Sequence, residues 1–141
     1  MVVFLTVNVN GLRDPNKRMS FLQWLSHLSA DFVCLQETHI SSCTEAASWF
    51  SPYGFLVVAS PGTVHSRGSV ILYRSAFTLT KSVFDANGRF VLCYFQPDGV
   101  SFGVACVYAP NRNPDRDDFF QYCVDQVDPS VPTAHSHLRG L

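Results

Sequence analysis

Val2-Val3-Phe4-Leu5-Thr6-Val7-Asn8-Val9-Asn10-Gly11 is a near-continuous apolar run closed by a turn dipeptide. A run without polar alternation predicts a strand buried on both faces, over residues 2–9. Beyond it Met19, Leu22 and Leu25 (or Phe21, Leu25 and Leu28) recur at helical spacing, which predicts a helix from Asn16. Asp31-Phe32-Val33-Cys34-Leu35-Gln36 then reads as a second buried strand, with Glu37 at its end. Strand, helix and strand in succession imply a parallel pair joined by a right-handed crossover. Both strands therefore finish on one edge, with Asn8 and Asn10 at the first end and Glu37 at the second.

Working outward, Ser42-x-x-Glu45 is a capping box ahead of Ala46-Ala47-Ser48-Trp49-Phe50, so a short helix follows, ended by Pro52. Residues 55–59 and 69–74 read as strands. Residues 77–84 and 89–96 pair as a hairpin across Asn87-Gly88. Pro97-Asp98-Gly99 turns into a strand over 100–108. Asn113-Pro114 opens a helix, Asn as N-cap and Pro in the first position, with Phe120, Cys123, Val124 and Val127 as its apolar stripe. Asp128-Pro129 ends it. The expected organisation is one partial domain over 1–128 and a divergent, disordered tail over 129–141.

The 141 residues amount to one domain or part of one. Charged residues make up 15%, below the usual ~25%, and there are 12 Phe, which suits a chain of many buried strands. A net charge of −1 argues against an overall basic coat for nucleic acid. Five cysteines lack paired zinc spacing, and Cys34, Cys93 and Cys106 lie within apolar runs. Buried free thiols in a reducing compartment are expected. No apolar stretch approaches the ~18 residues of a membrane span, so a soluble, intracellular protein without a membrane partner is expected.

Glu37 emerges where a buried strand surfaces. A carboxylate there can bind Mg²⁺, which takes one or two carboxylates plus waters and phosphate oxygens; it can equally be a solvated carboxylate or pair with an arginine. Asn8 and Asn10 offer amide donors and acceptors to metal-bound water and phosphate, although Asn-Gly also serves as a plain turn. Tyr108 ends the third apolar run and its phenol could donate to a phosphoryl oxygen, or simply pack. Arg13, Lys17 and Arg18 follow the first string, and Arg112 and Arg116 the third, a local phosphate-facing rim if the ends converge. His39 follows Glu37 closely. His135-x-His137 lies in the unpatterned tail.

Three strings in order resemble the endonuclease/exonuclease/phosphatase superfamily, and within it the apurinic-endonuclease-like domain of non-LTR retrotransposons: Asn8-Val9-Asn10-Gly11-Leu12, Leu35-Gln36-Glu37-Thr38-His39 and Val107-Tyr108-Ala109-Pro110-Asn111. Arg67-Gly68-Ser69-Val70-Ile71-Leu72 looks like the family's Gly-Val-Ala-Ile-Leu strand. The resemblance implies an α/β fold, the N-terminal part of a two-sheet mixed α/β sandwich of the DNase-like kind. It also implies phosphodiester hydrolysis of DNA dependent on Mg²⁺ (or Mn²⁺), with nuclear localisation if the protein serves a retroelement or repair. Asn8, Glu37 and Tyr108 would be catalytic, Glu37 and Asn10 would attend the metal, and Arg13, Asn111 and Arg112 would face DNA. Asn10 stands where repair members carry Asp.

One departure is large. The family continues with Gly-Asp-x-Asn, an Asp-bearing strand and a terminal Ser-Asp-His, whereas no Asp or Glu follows Asp128 here. A C-terminally truncated, inactive fragment is expected. A non-catalytic retroelement remnant that at most binds DNA backbone weakly, or another phosphatase of the superfamily, are the other readings.

Overall fold

The structure is a computed structural model and describes residues 1–96 and 99–136. Two four-stranded mixed sheets face one another. The first is built from β1 (Phe4–Asn8), β2 (Phe32–Gln36), β3 (Leu56–Ser60) and β4 (Ser69–Tyr73), in the order β1-β2-β4-β3. The second is built from β5 (Leu79–Phe84), β6 (Phe90–Phe95), β7 (Phe102–Val107) and β8 (Thr133–His135), in the order β5-β6-β7-β8. Helix α1 (Pro15–Ser26) makes the crossover between the parallel strands β1 and β2. Helix α2 (Cys43–Phe50) leads through a 3-10 turn, Ser51–Tyr53, to β3, so Pro52 tightens the chain into that turn. Helix α3 (Asn113–Gln126) connects β7 to β8, which also run parallel.

Three strands are buried at every position, and the period-two geometry shows why their sequences do not alternate. Phe32 and Cys34 of β2, Ile71 and Tyr73 of β4, and Val91, Cys93 and Phe95 of β6 meet in the layer between the sheets. Their neighbours Val33, Leu35, Val70 and Leu72 pack outward with Leu22 and Leu25 of α1 and Phe50 of α2. On the second sheet, Phe90 and Leu92 pack outward with Cys123 of α3. Phe32 anchors the inter-sheet layer, its ring centroid 4.8 Å from Phe95 and 4.6 Å from Phe77.

Four expectations need correction. The first strand is an edge strand, not one buried on both faces: Phe4, Thr6 and Asn8 are exposed and Leu5 and Val7 half-buried. It pairs with one strand, β2, and Phe4 stays 47% exposed despite stacking on Phe32 at 5.2 Å. The turn at Asn87-Gly88 is wider than a two-residue hairpin. Asp85 Oδ1 accepts the backbone N–H of Arg89 and of Phe90, holding residues 86–89 out as a loop. Helix α3 takes Arg112 as its cap residue, because the helix already begins at Asn113.

The fourth correction is to the tail. Thr133–His135, within the stretch expected to be disordered, is ordered: it adds to β7 as a parallel strand, with Gly103 N–H donating to Pro132 O at 2.8 Å and Ser136 N–H to Ala105 O at 3.1 Å. The unsatisfied backbone edge of β7 provides the partner that the local sequence does not advertise. Residues 137–141, and the Pro97-Asp98 part of the predicted turn, lie outside the described residues.

Candidate active site

The parallel ladder of β1 and β2 runs on past the strand ends into their loops. Val9 N–H donates to Gln36 O, Gly11 N–H to Glu37 O at 2.6 Å, and Leu12 N–H to Thr38 O. Thr38, fully buried, ties the loop to the start of β4 through its N–H and hydroxyl, both donating to Gly68 O. Asn10, Glu37 and His39 sit at positive φ (49°, 54° and 62°), a conformation that non-glycine residues hold only where surrounding structure imposes it and that gathers at functional sites. Glycine is required at position 11, where φ is 89° and a Cβ would lie 2.8 Å from His39 Nδ1.

This backbone delivers Glu37, half-buried, to the end of β7 on the opposite sheet. The Tyr108 hydroxyl donates to Glu37 Oε1 at 2.6 Å. That bond, more than any other influence, holds the Glu37 carboxyl below its usual range; burial works against it, and the Asn8 amide and the charges of His39 and Arg89 assist. The same bond pushes the Tyr108 phenol up. The pair is therefore a carboxylate accepting from a neutral phenol.

Asn8 makes an Asx turn, its Oδ1 accepting from Asn10 N–H at 3.0 Å. Asn8, Gln36, Tyr108, Asn111, Arg116 and Ser136 line an open cleft of about 440 Å³ between the two strand ends. Asn10 is exposed on the turn that bonds to Glu37's backbone, and its carbonyl accepts from Lys17 Nζ. Asn8, Glu37, Tyr108 and Asn111 thus come together. Arg112 is exposed on the loop before α3. Arg13 points elsewhere: its guanidinium forms a two-point ion pair with Glu45, at 2.6 and 3.1 Å, and also donates to His39 O. The capping-box glutamate is accordingly engaged by Arg13 and by Ser41 N–H, while Ser42 caps the helix.

Arg89 was absent from the sequence-based candidates and is central here. Its Nη1 donates to Tyr108 O at 3.2 Å, and its guanidinium lies 5.2 Å from the Tyr108 ring centroid. The signal was its place directly after Asn87-Gly88, which reads as turn chemistry alone.

Among the described residues no group of three or more His, Cys, Asp and Glu side chains could cage a metal ion. What is present is one ionised carboxylate beside an amide and an open cleft. Mg²⁺ characteristically keeps several waters and takes one or two carboxylates with substrate phosphate, so the donor set fits an open, weak Mg²⁺ site rather than a closed one.

A family model described as the Endonuclease/Exonuclease/phosphatase family matches residues 5–138. The chain belongs to the endonuclease/exonuclease/phosphatase family. Among curated proteins, this family member is 30% identical over 118 residues to the Transposon TX1 uncharacterized 149 kDa protein of Xenopus laevis, covering 82% of this chain and 9% of that protein. It is 54% identical over 33 residues to an exodeoxyribonuclease of Bacillus subtilis, covering 23% of this chain and 13% of that protein. Its fold is similar to that of the AP endonuclease LMAP from Leishmania major, with TM-score 0.69 and 21% identity over 86% of this chain and 46% of that one. It is similar also to a family protein from Leptotrichia buccalis, with TM-score 0.70 and 12% identity over 96% of this chain and 65% of that one. The chain thus spans a small part of the curated relatives and about half to two thirds of these solved structures. No helix among the described residues is long and apolar enough to cross a membrane.

Proposed function

We propose that this chain carries the metal- and phosphate-binding part of a DNA endonuclease/exonuclease of the apurinic-endonuclease type, from the retroelement branch of the family. The observation that carries the reading is the Tyr108–Glu37 bond, which joins the ends of two sheets at a polar cleft. Glu37, with the amides of Asn8 and Asn10 beside it, would hold Mg²⁺ or Mn²⁺. The bound ion supplies charge stabilisation at a phosphoryl group. Asn8 both supports the Glu37 charge and faces the cleft, where its amide can donate to a phosphate oxygen. Tyr108 keeps its proton and orients the carboxylate. Asn111 and Arg112 follow it into the loop where a DNA backbone would run.

Hydrolysis also needs a group that activates water, and among the described residues Glu37 belongs to no cluster of three or more His, Cys, Asp and Glu side chains. The 141-residue chain on its own therefore binds a divalent ion and DNA backbone weakly and does not cut. Isothermal titration with MnCl₂ should detect binding that Glu37→Gln removes, and gel shifts should show DNA binding that weakens as salt rises. A relaxation assay on supercoiled plasmid should show no nicking. Mg²⁺-dependent nicking abolished by Glu37→Gln would overturn the statement that these residues do not suffice. Mn²⁺ binding unchanged by Glu37→Gln would overturn the metal site itself.

A further inference from the structure

We infer that Arg89 is the positioning residue that sets the Tyr108 hydroxyl against Glu37, by closing a ring of hydrogen bonds that runs from one sheet to the other and back. The inference rests on the functional reading above only in making the Glu37–Tyr108 pair the centre of the site.

The ring can be followed bond by bond. Glu37 is followed by Thr38, whose N–H and hydroxyl both donate to Gly68 O, at 3.0 and 2.7 Å. Gly68 N–H donates to Gly88 O at 3.1 Å, and that carbonyl also accepts from the Ser69 hydroxyl at 2.9 Å. Gly88 N–H donates in turn to Ser60 Oγ at 3.0 Å. The loop of the second sheet is thereby fastened to the first. A side chain at 88 would not fit: φ is +74° and a Cβ would stand 2.7 Å from Gly68 N.

The next residue, Arg89, grips Tyr108 in three ways. Tyr108 N–H donates to Arg89 O at 2.8 Å, Arg89 Nη1 donates to Tyr108 O at 3.2 Å, and the guanidinium lies against the aromatic ring. Tyr108 then donates to Glu37 and the ring closes. The backbone bond fixes where Tyr108 begins. The planar guanidinium, donating to the carbonyl while lying on the ring, fixes where its hydroxyl ends. Lysine lacks the plane that allows both contacts at once.

The test uses the whole chain labelled with 3-fluorotyrosine. Its five tyrosines give five ¹⁹F resonances, and Tyr108→Phe assigns the one of interest. Glu37→Gln should shift the Tyr108 resonance in the wild-type background, reporting the bond. In the Arg89→Met background, which keeps an unbranched apolar stem and removes the guanidinium, Glu37→Gln should leave that resonance within linewidth while the other four hold their positions. In the Arg89→Lys background the Glu37→Gln shift should fall by more than half. The full shift retained in a folded Arg89→Met variant, or in Arg89→Lys if the methionine variant moves all five resonances, overturns the inference. The readout needs neither metal nor DNA, so failure of the nuclease reading and failure of this one are separable.

Discussion

Two opposing influences act on Glu37: burial favours its neutral form, and the Tyr108 hydroxyl, helped by Asn8 and nearby cations, favours the charge. The hydrogen bond wins. A carboxyl held below its unfolded value stabilises the fold fully above that value, about 4.3 for a free Glu, and loses that contribution as pH falls through the lower, folded value. Tyr108→Phe should therefore lower the stability at pH 7 by less than about 1 kcal/mol once partial exposure is discounted, read as a lower melting temperature. Melts of wild type and variant should converge as pH is taken from about 4.3 downward; a gap that persists at the acid end would assign the loss to packing instead. The cysteines show the converse case. Burial pushes the Cys123 thiol up to about 12 and Cys93 upward as well, and a hydrogen bond with Cys106, reinforced by burial, raises Cys34, so these behave as small hydrophobes. Cys43 alone among the five is exposed.

The strands and helices show which signals are local. The crossover from β1 through α1 to β2 was legible because unbroken apolar runs flank a stretch of helical period. Ser42 was legible as a cap because its hydroxyl bonds to a backbone group three residues on. Asn87-Gly88 was legible as a turn, but its purpose was not: the contacts that give Gly88 its role come from Ser60, Gly68 and Ser69, far away in sequence. The Glu37–Tyr108 bond spans 71 positions and two sheets, and no periodicity encodes such a pairing. Short β8 was illegible because three residues carry no pattern. Gly88→Ala should cost more than the ~1 kcal/mol of an ordinary glycine change, since it adds both a positive-φ penalty and a backbone clash. Thermal melting would measure this, and a loss within a few tenths of a kcal/mol of zero would mean that the loop relaxes freely.

Across the whole molecule the apolar surface is unevenly covered. Val2, Phe4, Phe102, Pro132 and Ala134 line an almost wholly apolar hollow where β1 and β8 end the two sheets. Exposed apolar patches of this kind bind hydrophobic probes. The folded chain should enhance anilinonaphthalene sulfonate fluorescence, and Phe4→Lys should reduce the enhancement without lowering the melting temperature much; an enhancement indifferent to Phe4→Lys would place the sticky surface elsewhere. The two-sheet sandwich brings Asn8, Glu37 and Tyr108 together from both sheets at one polar cleft.

The placement of the two parallel pairs has a kinetic consequence. β2–β4–β3 and β5–β6–β7 are joined antiparallel, and the second set is a meander of neighbours in sequence. Such local pairings close cheaply, whereas β1–β2 and β7–β8 each wait on a helical crossover. Those late-closing pairs lie together on one flank, and β8 is held through only three residues. Amide exchange should accordingly be fastest there. Asn8 ends β1 and Ser136 follows β8, so one wall of the cleft should share the fast exchange of those strands, while the half-buried Glu37, Arg89 and Tyr108 are tied to one another across both sheets.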